Sequence, residues 1–181
     1  MGLWNRIVQK MSKQTFKMVQ ERGNGFYAWN GRLYHSDVVR ACIRPKTKAI
    51  GKAVAKHIRT TRTQEGERVE VNPDAYIRFL LEEPNPLMSG QMLQEKVANQ
   101  LALNHNAFIL MVRDEFEKPV ELYPIPCSSV EAFYKENELF LRFVFLNGRE
   151  STFPYSDIIH LRDDFNEDDI FGESPIEALS Q

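Results

Sequence analysis

The sequence predicts an α+β protein in which N-terminal helices pack on an antiparallel β-meander. Three observations carry this reading. Apolar residues recur at the helical period from Val38 to Ile58, the stripe that an amphipathic helix buries. Two helix starts follow, at Asn72-Pro73-Asp74 and at Ser89, each with a side chain able to accept from the free N–H groups of a first turn. From Ala107 the period changes: AFILMVRD, PVELYPI, SSVEAFY, ELFLRFVF, ESTFPY and DIIHLRD are short apolar runs separated by turn residues. Their spacing, about ten residues, is that of a meander, and helices followed by strands is the order of an α+β domain.

Residues 1–35 read as a basic arm. Trp4, Ile7, Val8 and Met11 fall at helical spacing, Gly23-Asn24-Gly25 ends that pattern, and GFYAWNGRLYH reads as an extended segment docked elsewhere. Residues 36–173 form the α+β domain. Its first helix starts at Ser36 as N-cap, with Asp37 complementing the helix dipole. The stripe then runs through Val38, Val39, Cys42, Ile43, Ile50, Val54 and Ile58. Pro45 is expected to kink this helix, because it removes a donor and clashes with the preceding turn. Lys46, Lys48, Lys52 and Lys56 occupy the exposed sides, and IRTTRT, ending near Gly66, reads as a strand.

Asn72 is expected to cap a helix over residues 74–81, with Pro73 at its first position. Pro84-Asn85-Pro86 is a rigid turn. Ser89 caps a longer helix that buries Met92, Leu93, Val97, Leu101 and Leu103 and closes between Asn104 and Asn106. In the strand region, Asn147-Gly148 signals a hairpin, since both residues tolerate positive φ. Residues 174–181 begin another helix, with Ser174 as N-cap and Pro175 at its first position. Two turns are too few to be stable alone, so the sequence reads as a piece of a longer chain.

At 181 residues and 43% apolar content the chain can bury one core. No apolar run approaches the ~18 residues of a membrane span. Cys42 and Cys127 have neither metal-ligand spacing nor a disulfide framework, which points to a reducing compartment, and Cys42 on its helical stripe is expected to be a buried, inert thiol. Residues 1–62 hold fourteen Lys/Arg against Glu21 and Asp37, a net +12, which leaves −14 for the remainder of a chain whose total is −2. Such polarity fits an electrostatic partner, either nucleic acid or the acidic face of another copy, and equally fits a solvated helix face.

No catalytic constellation stands out. His160 with Asp163, Asp164, Asp168 and Asp169 can be drawn as a nuclease-type metal cluster; the plainer reading is a strand-closing histidine and a solvated acidic loop. No phosphate-loop spacing, cofactor fingerprint, helix-turn-helix or zinc finger occurs. The expectation is no catalytic, cofactor or metal residues and no enzyme, with a metal-dependent nuclease using the His160–Asp169 loop as the alternative and a stand-alone interaction domain as a third reading.

Three segments together resemble the portal proteins of long-tailed bacteriophages. Ser36–Ile58 is similar to that family's opening helix. Leu80–Asp114, with Pro84-Asn85-Pro86 and Asn106-Ala107-Phe108, resembles its PNP turn, long helix and N-A-Y/F strand. The stretch from Asp157–Asp164 to Gly172–Leu179 resembles its I-I-H-L/I-R…G-x-S-P-I junction, and VELYPIPCSSVEAF lies where the family has a strand pair. One departure is His105, where the family usually has glycine, so either Asn104 or Asn106 is expected in the left-handed conformation there. The resemblance implies a subunit of a ring, dodecameric when full length, at one capsid vertex. It implies sequence-independent contact with double-stranded DNA, partners among terminase, capsid and tail-connector proteins, and assembly in the host bacterial cytoplasm without a membrane. The matched stretch would form most of the peripheral wing, with stem and clip beyond residue 181. Since much of a stable interface would then lie outside this stretch, the fragment alone is expected as monomers or weak oligomers.

Overall fold

One strand is covered on both faces, and the architecture is organised around it. The computed structural model describes residues 15–18, 37–145, 147–164 and 170–173. In chain order the elements are β1 (Thr15–Met18), α1 (Asp37–Lys52), β2 (Ile58–Thr63), β3 (Gly66–Val71), α2 (Ala75–Glu82), α3 (Gly90–Asn104), β4 (Asn106–Arg113), β5 (Pro119–Pro124), β6 (Ser129–Lys135), β7 (Glu138–Val144), β8 (Glu150–Pro154), a single 3-10 turn (Tyr155–Asp157) and β9 (Ile158–Arg162). The calls on the arm helix, on GFYAWNGRLYH, on the Ser36 cap and on the helix from Ser174 lie outside the described residues.

All six apolar runs after Ala107 are strands, but they do not make one meander. They split into a three-stranded sheet, β5-β4-β9, and the β6-β7-β8 part of a four-stranded sheet that β1 completes in the order β1-β6-β7-β8, all pairs antiparallel. The reason lies in β4. Side chains alternate across a strand, and both of its faces are apolar. Ala107 and Ile109 pack with Leu80, Leu93, Val97 and Leu122 under the helices. Phe108 packs on the opposite side with Val130, Leu141, Phe143 and Ile158 of the strand layers. A strand buried on both faces must be central, so β9 returns to pair with β4, placing His160 opposite Phe108. The result is three layers: helices, the β4 sheet, and the four-stranded sheet.

The turns are set by local chemistry. Glu136 and Asn137 both have positive φ (51° and 72°) and form the tight two-residue turn between β6 and β7. At Asn147-Gly148 the expected hairpin forms, though only Gly148 takes positive φ (77°); Asn147 instead accepts from the Arg149 N–H at 3.0 Å. The Pro84-Asn85-Pro86 turn is clamped to β5. Asn85 Nδ2 donates to the Leu122 carbonyl (2.6 Å), and Leu122 N–H donates to the Pro84 carbonyl (2.8 Å).

Several helix details differ from expectation. α1 ends at Lys52, so Ile58 lies on β2 and pairs with Val71. The Gln94 amide, turned to match its surroundings, donates to the carbonyls of Ile50, Gly51 and Ala53 at 2.7–3.3 Å and so closes that helix end. Pro45 sits inside a continuous α1; it and Ala41 are exposed, so the carbonyl that loses its donor faces solvent. Asp74, not Asn72, is the N-cap of α2, accepting from Tyr76 and Ile77 N–H; Asn72 takes φ 53° instead, which turns the chain out of β3. Ser89 caps α3 as expected, but Met92 is 49% exposed. Cys42 is exposed, because α1 meets α3 through Thr47 and Gly51 and leaves the stripe outward. Cys127 is the buried thiol, and burial pushes its pKa up. The hairpin β2–β3 is exposed throughout.

Gly90 is required by contact rather than by φ. A Cβ there would overlap the Leu81 carbonyl oxygen at the end of α2. Gly90→Ala should therefore cost about 1–3 kcal/mol by urea denaturation, as overpacking does, although helix propensity alone favours alanine by ~1 kcal/mol. A gain in stability would show that α2 and α3 can separate freely.

Candidate functional site

Two features have the chemistry of a working surface: a polar junction between the start of β4 and Ile170–Gly172, and a row of cations on α1.

The junction centres on Asn106, which is fully buried. Its Nδ2 donates to the carbonyls of Asn104 (3.0 Å) and Gly172 (2.7 Å). Its Oδ1 accepts from Gly172 N–H (2.8 Å) and lies 3.0 Å from His160 Nε2. The two carbonyls fix which amide atom is nitrogen, so Oδ1 is the acceptor and Nε2 carries the proton. His160 Nδ1 is 3.2 Å from Tyr155 Oη, and the ring stacks on Phe108 with centroids 4.4 Å apart. Alongside, His105 takes the left-handed conformation (φ 53°) and its N–H donates to Leu101 O (2.9 Å). The residue in the glycine position thus adopts the glycine conformation itself, and neither Asn104 nor Asn106 does. The His105 carbonyl accepts from Asp163 N–H (2.9 Å). A Cβ on Gly172 would overlap the carbonyl oxygens of both His105 and Asp163. Residues Ile170–Gly172 are buried, so the exit of the chain is built into the core.

This geometry decides the role of His160. Both ring nitrogens face protein partners, and the ring packs against both Phe108 and Phe171, which also touch each other. Among the described residues no group of His, Cys, Asp and Glu is placed to hold a metal. Asp163 and Asp164 are exposed, with Asp164 Oδ2 3.9 Å from His105 Nδ1. Asp168 and Asp169 lie outside the described residues. His160 therefore positions the Asn106 amide. Sequence reading quoted Asn106 and Gly172 only as parts of motifs; the usable signal was an asparagine opening a run as apolar as AFILMV, where an amide must find several partners to be buried.

The second feature is on α1. Arg40, Arg44, Lys48 and Lys52 recur every four residues, about 6 Å apart along the axis at the rise of an α-helix. Arg40 pairs with Asp37. Among the described residues no carboxylate makes an ion pair with Arg44, Lys48, Lys52 or Lys96. Lys96 of α3 faces Arg40, Arg44 and Lys48 across a cleft of about 420 Å³ that Glu95 also lines. In that cleft the buried Oδ1 of Asn99 has no partner. The arrangement can hold a delocalised polyanion.

Asn106→Asp tests the junction, since it replaces a donor facing two carbonyls with a carboxylate oxygen. At neutral pH the loss should reach about 3 kcal/mol in urea denaturation. The deficit relative to the wild type should shrink on acidification, because the folded state binds the proton that restores the donor more tightly than the unfolded state does. An unchanged midpoint at pH 7 would rule out the network described.

Comparison with known proteins agrees with this architecture. The profile of the family described as phage portal protein matches residues 37–181. No curated protein matches the chain. Solved structures of similar fold include the virion of a native gene transfer agent (GTA) particle, at TM-score 0.62 and 19% identity over 82% of this chain and 38% of that one. Others are the neck of an empty GTA particle computed with C6 symmetry (0.64, 19%, 82% and 39%) and the neck of a native GTA particle computed with C12 symmetry (0.58, 18%, 99% and 46%). This chain spans less than half the length of each, and at such identity the likeness is one of fold. With the profile covering most of the chain, the chain belongs to the phage portal protein family.

Proposed function

We propose that this chain is the wing-like part of a portal subunit, one of a closed ring at a virion vertex through which double-stranded DNA is packaged and ejected, and to which the tail joins. The observation that carries the reading is the family match over residues 37–181. The structural neighbours, neck assemblies computed with C6 and C12 symmetry, support a ring of repeated subunits and a location in the virion. The fold supplies a reason to assemble. A lone two-stranded hairpin is marginal in water, yet β2–β3 is exposed along its length, with Ile58, Val69 and Val71 all more than half exposed. A neighbouring subunit is the natural cover. Terminase, capsid and tail-connector proteins are the other partners of such a ring, and assembly takes place in the host cytoplasm.

The DNA side of the proposal rests on the α1 row. Four cations at about 6 Å intervals present phosphates with charge and no base-reading group, and a conduit must hold DNA without stopping it. The role is structural: His160 is occupied by Asn106 and Tyr155, which counts against the nuclease alternative.

The test takes the protein containing this chain at full length. Mass measurement and electron microscopy should show closed rings over a wide concentration range; a monomer throughout would end the ring reading. Duplex binding should be independent of sequence and fall with salt, with a log–log slope of roughly −3 to −4 per wing, given ~0.9 per phosphate neutralised. Arg44→Glu with Lys48→Glu should remove about two of those units. A slope unaffected by the double variant would assign DNA contact elsewhere.

A further inference from the structure

We infer that the β2–β3 hairpin of one copy of this chain seats its apolar face in the groove between α1 and α3 of the next copy. The hairpin supplies the knob. Cross-strand partners share a face, so Ile58 with Val71, Thr60 with Val69, and Arg62 with Glu67 stand on one side of it. Ile58 is 57%, Val69 57% and Val71 53% exposed. The two strands pair only with each other among the described residues. Six residues at the rise of a strand project the hairpin by about 17–20 Å, enough to reach a neighbour.

The same chain carries a socket. α1 buries only Thr47 and Gly51. Its Cys42, Ile43 and Ile50, with Val97 and Leu101 of α3 and Leu161 of β9, line a groove of about 650 Å³. Val54 and Ala55 line it too, yet the hairpin that begins at Ile58 is exposed along both strands. The hairpin therefore leaves its own groove without filling it.

Charge and symmetry select a second copy as the occupant. Lys46 and Asp163 line the groove with opposite charges, and neither makes an ion pair among the described residues. The apolar face of the hairpin carries the matching pair, since Arg62 and Glu67 lie 3.0 Å apart and are both exposed. Seated, Arg62 can meet Asp163 and Glu67 can meet Lys46, while Ile58, Val69 and Val71 leave water. A self-complementary patch closes a two-fold dimer. A knob and a socket at different places on one chain make a head-to-tail contact instead, the kind that generates rings. The inference rests on the ring reading above and adds to it which two surfaces meet.

The test uses the full-length protein containing this chain, with Cys42 in the groove as a native anchor. Two chains with different mass tags are co-assembled: one keeps Cys42, the other carries Cys42→Ser together with Val69→Cys. A short bismaleimide is added and the joined peptides are mapped by mass spectrometry; Cys127 is buried and stays silent. Phe116→Cys in place of Val69→Cys gives the reference, since Phe116 is 74% exposed on the turn between β4 and β5. Seated cysteines meet at an effective concentration on the order of millimolar, so Val69→Cys should join Cys42 of the other chain roughly tenfold more than Phe116→Cys does. Thr60→Cys, on the same face, repeats the measurement should Val69→Cys fold poorly. Rings in which both positions join equally, or neither joins, would overturn the inference and leave the ring reading standing. A monomer throughout would overturn both.

Discussion

A single buried amide holds this domain's two ends of structure together. Asn106 stands where α3 passes into β4, and its four polar contacts reach Asn104, Gly172 twice, and His160. Burying an amide without partners costs on the order of several kcal/mol, so the site exists only if all its partners arrive together. Their arrival fixes much else. The turn through His105, the return of β9 beside β4 and the path of Ile170–Gly172 all follow from satisfying one side chain. Gly172 must be glycine because two carbonyls already occupy the space a Cβ would need.

The layers follow from the same place. β4 leaves the junction with apolar residues on both faces, so it can only be central. Helices cover Ala107 and Ile109, and the four-stranded sheet covers Phe108. His160 belongs to both systems at once: its ring stacks on Phe108 in the core, and its nitrogens serve the polar network.

Much of the fold was legible from local chemistry. Ser89 as a cap, the break at Pro84-Asn85-Pro86 and six strands after Ala107 all rest on short-range rules, and all appear. What failed depends on distant contacts. The split into two sheets is decided by the second face of β4, which no spacing of runs reveals. The exposure of Cys42 arises because α1 approaches α3 through Thr47 and Gly51, residues that a search for apolar stripes passes over. The second strand of the exposed hairpin, GERVEV, was missed because its charges hide a weak alternation. The cation row was partly visible as a basic half of the chain; the four-residue regularity of Arg40, Arg44, Lys48 and Lys52 became a surface only once α1 proved continuous through Pro45. The assignment to a family was carried by resemblance of motifs and their order, not by local chemistry.

The junction ties Ile170–Gly172 to the start of β4 as one body. The most direct test is native-state hydrogen exchange at the Gly172 amide, whose N–H points into the core at Asn106 Oδ1. The account predicts that it exchanges as slowly as the central amides of β4, through global unfolding. Exchange at the rate of an exposed loop would contradict it, for then the exit is merely adjacent to the core and not part of it.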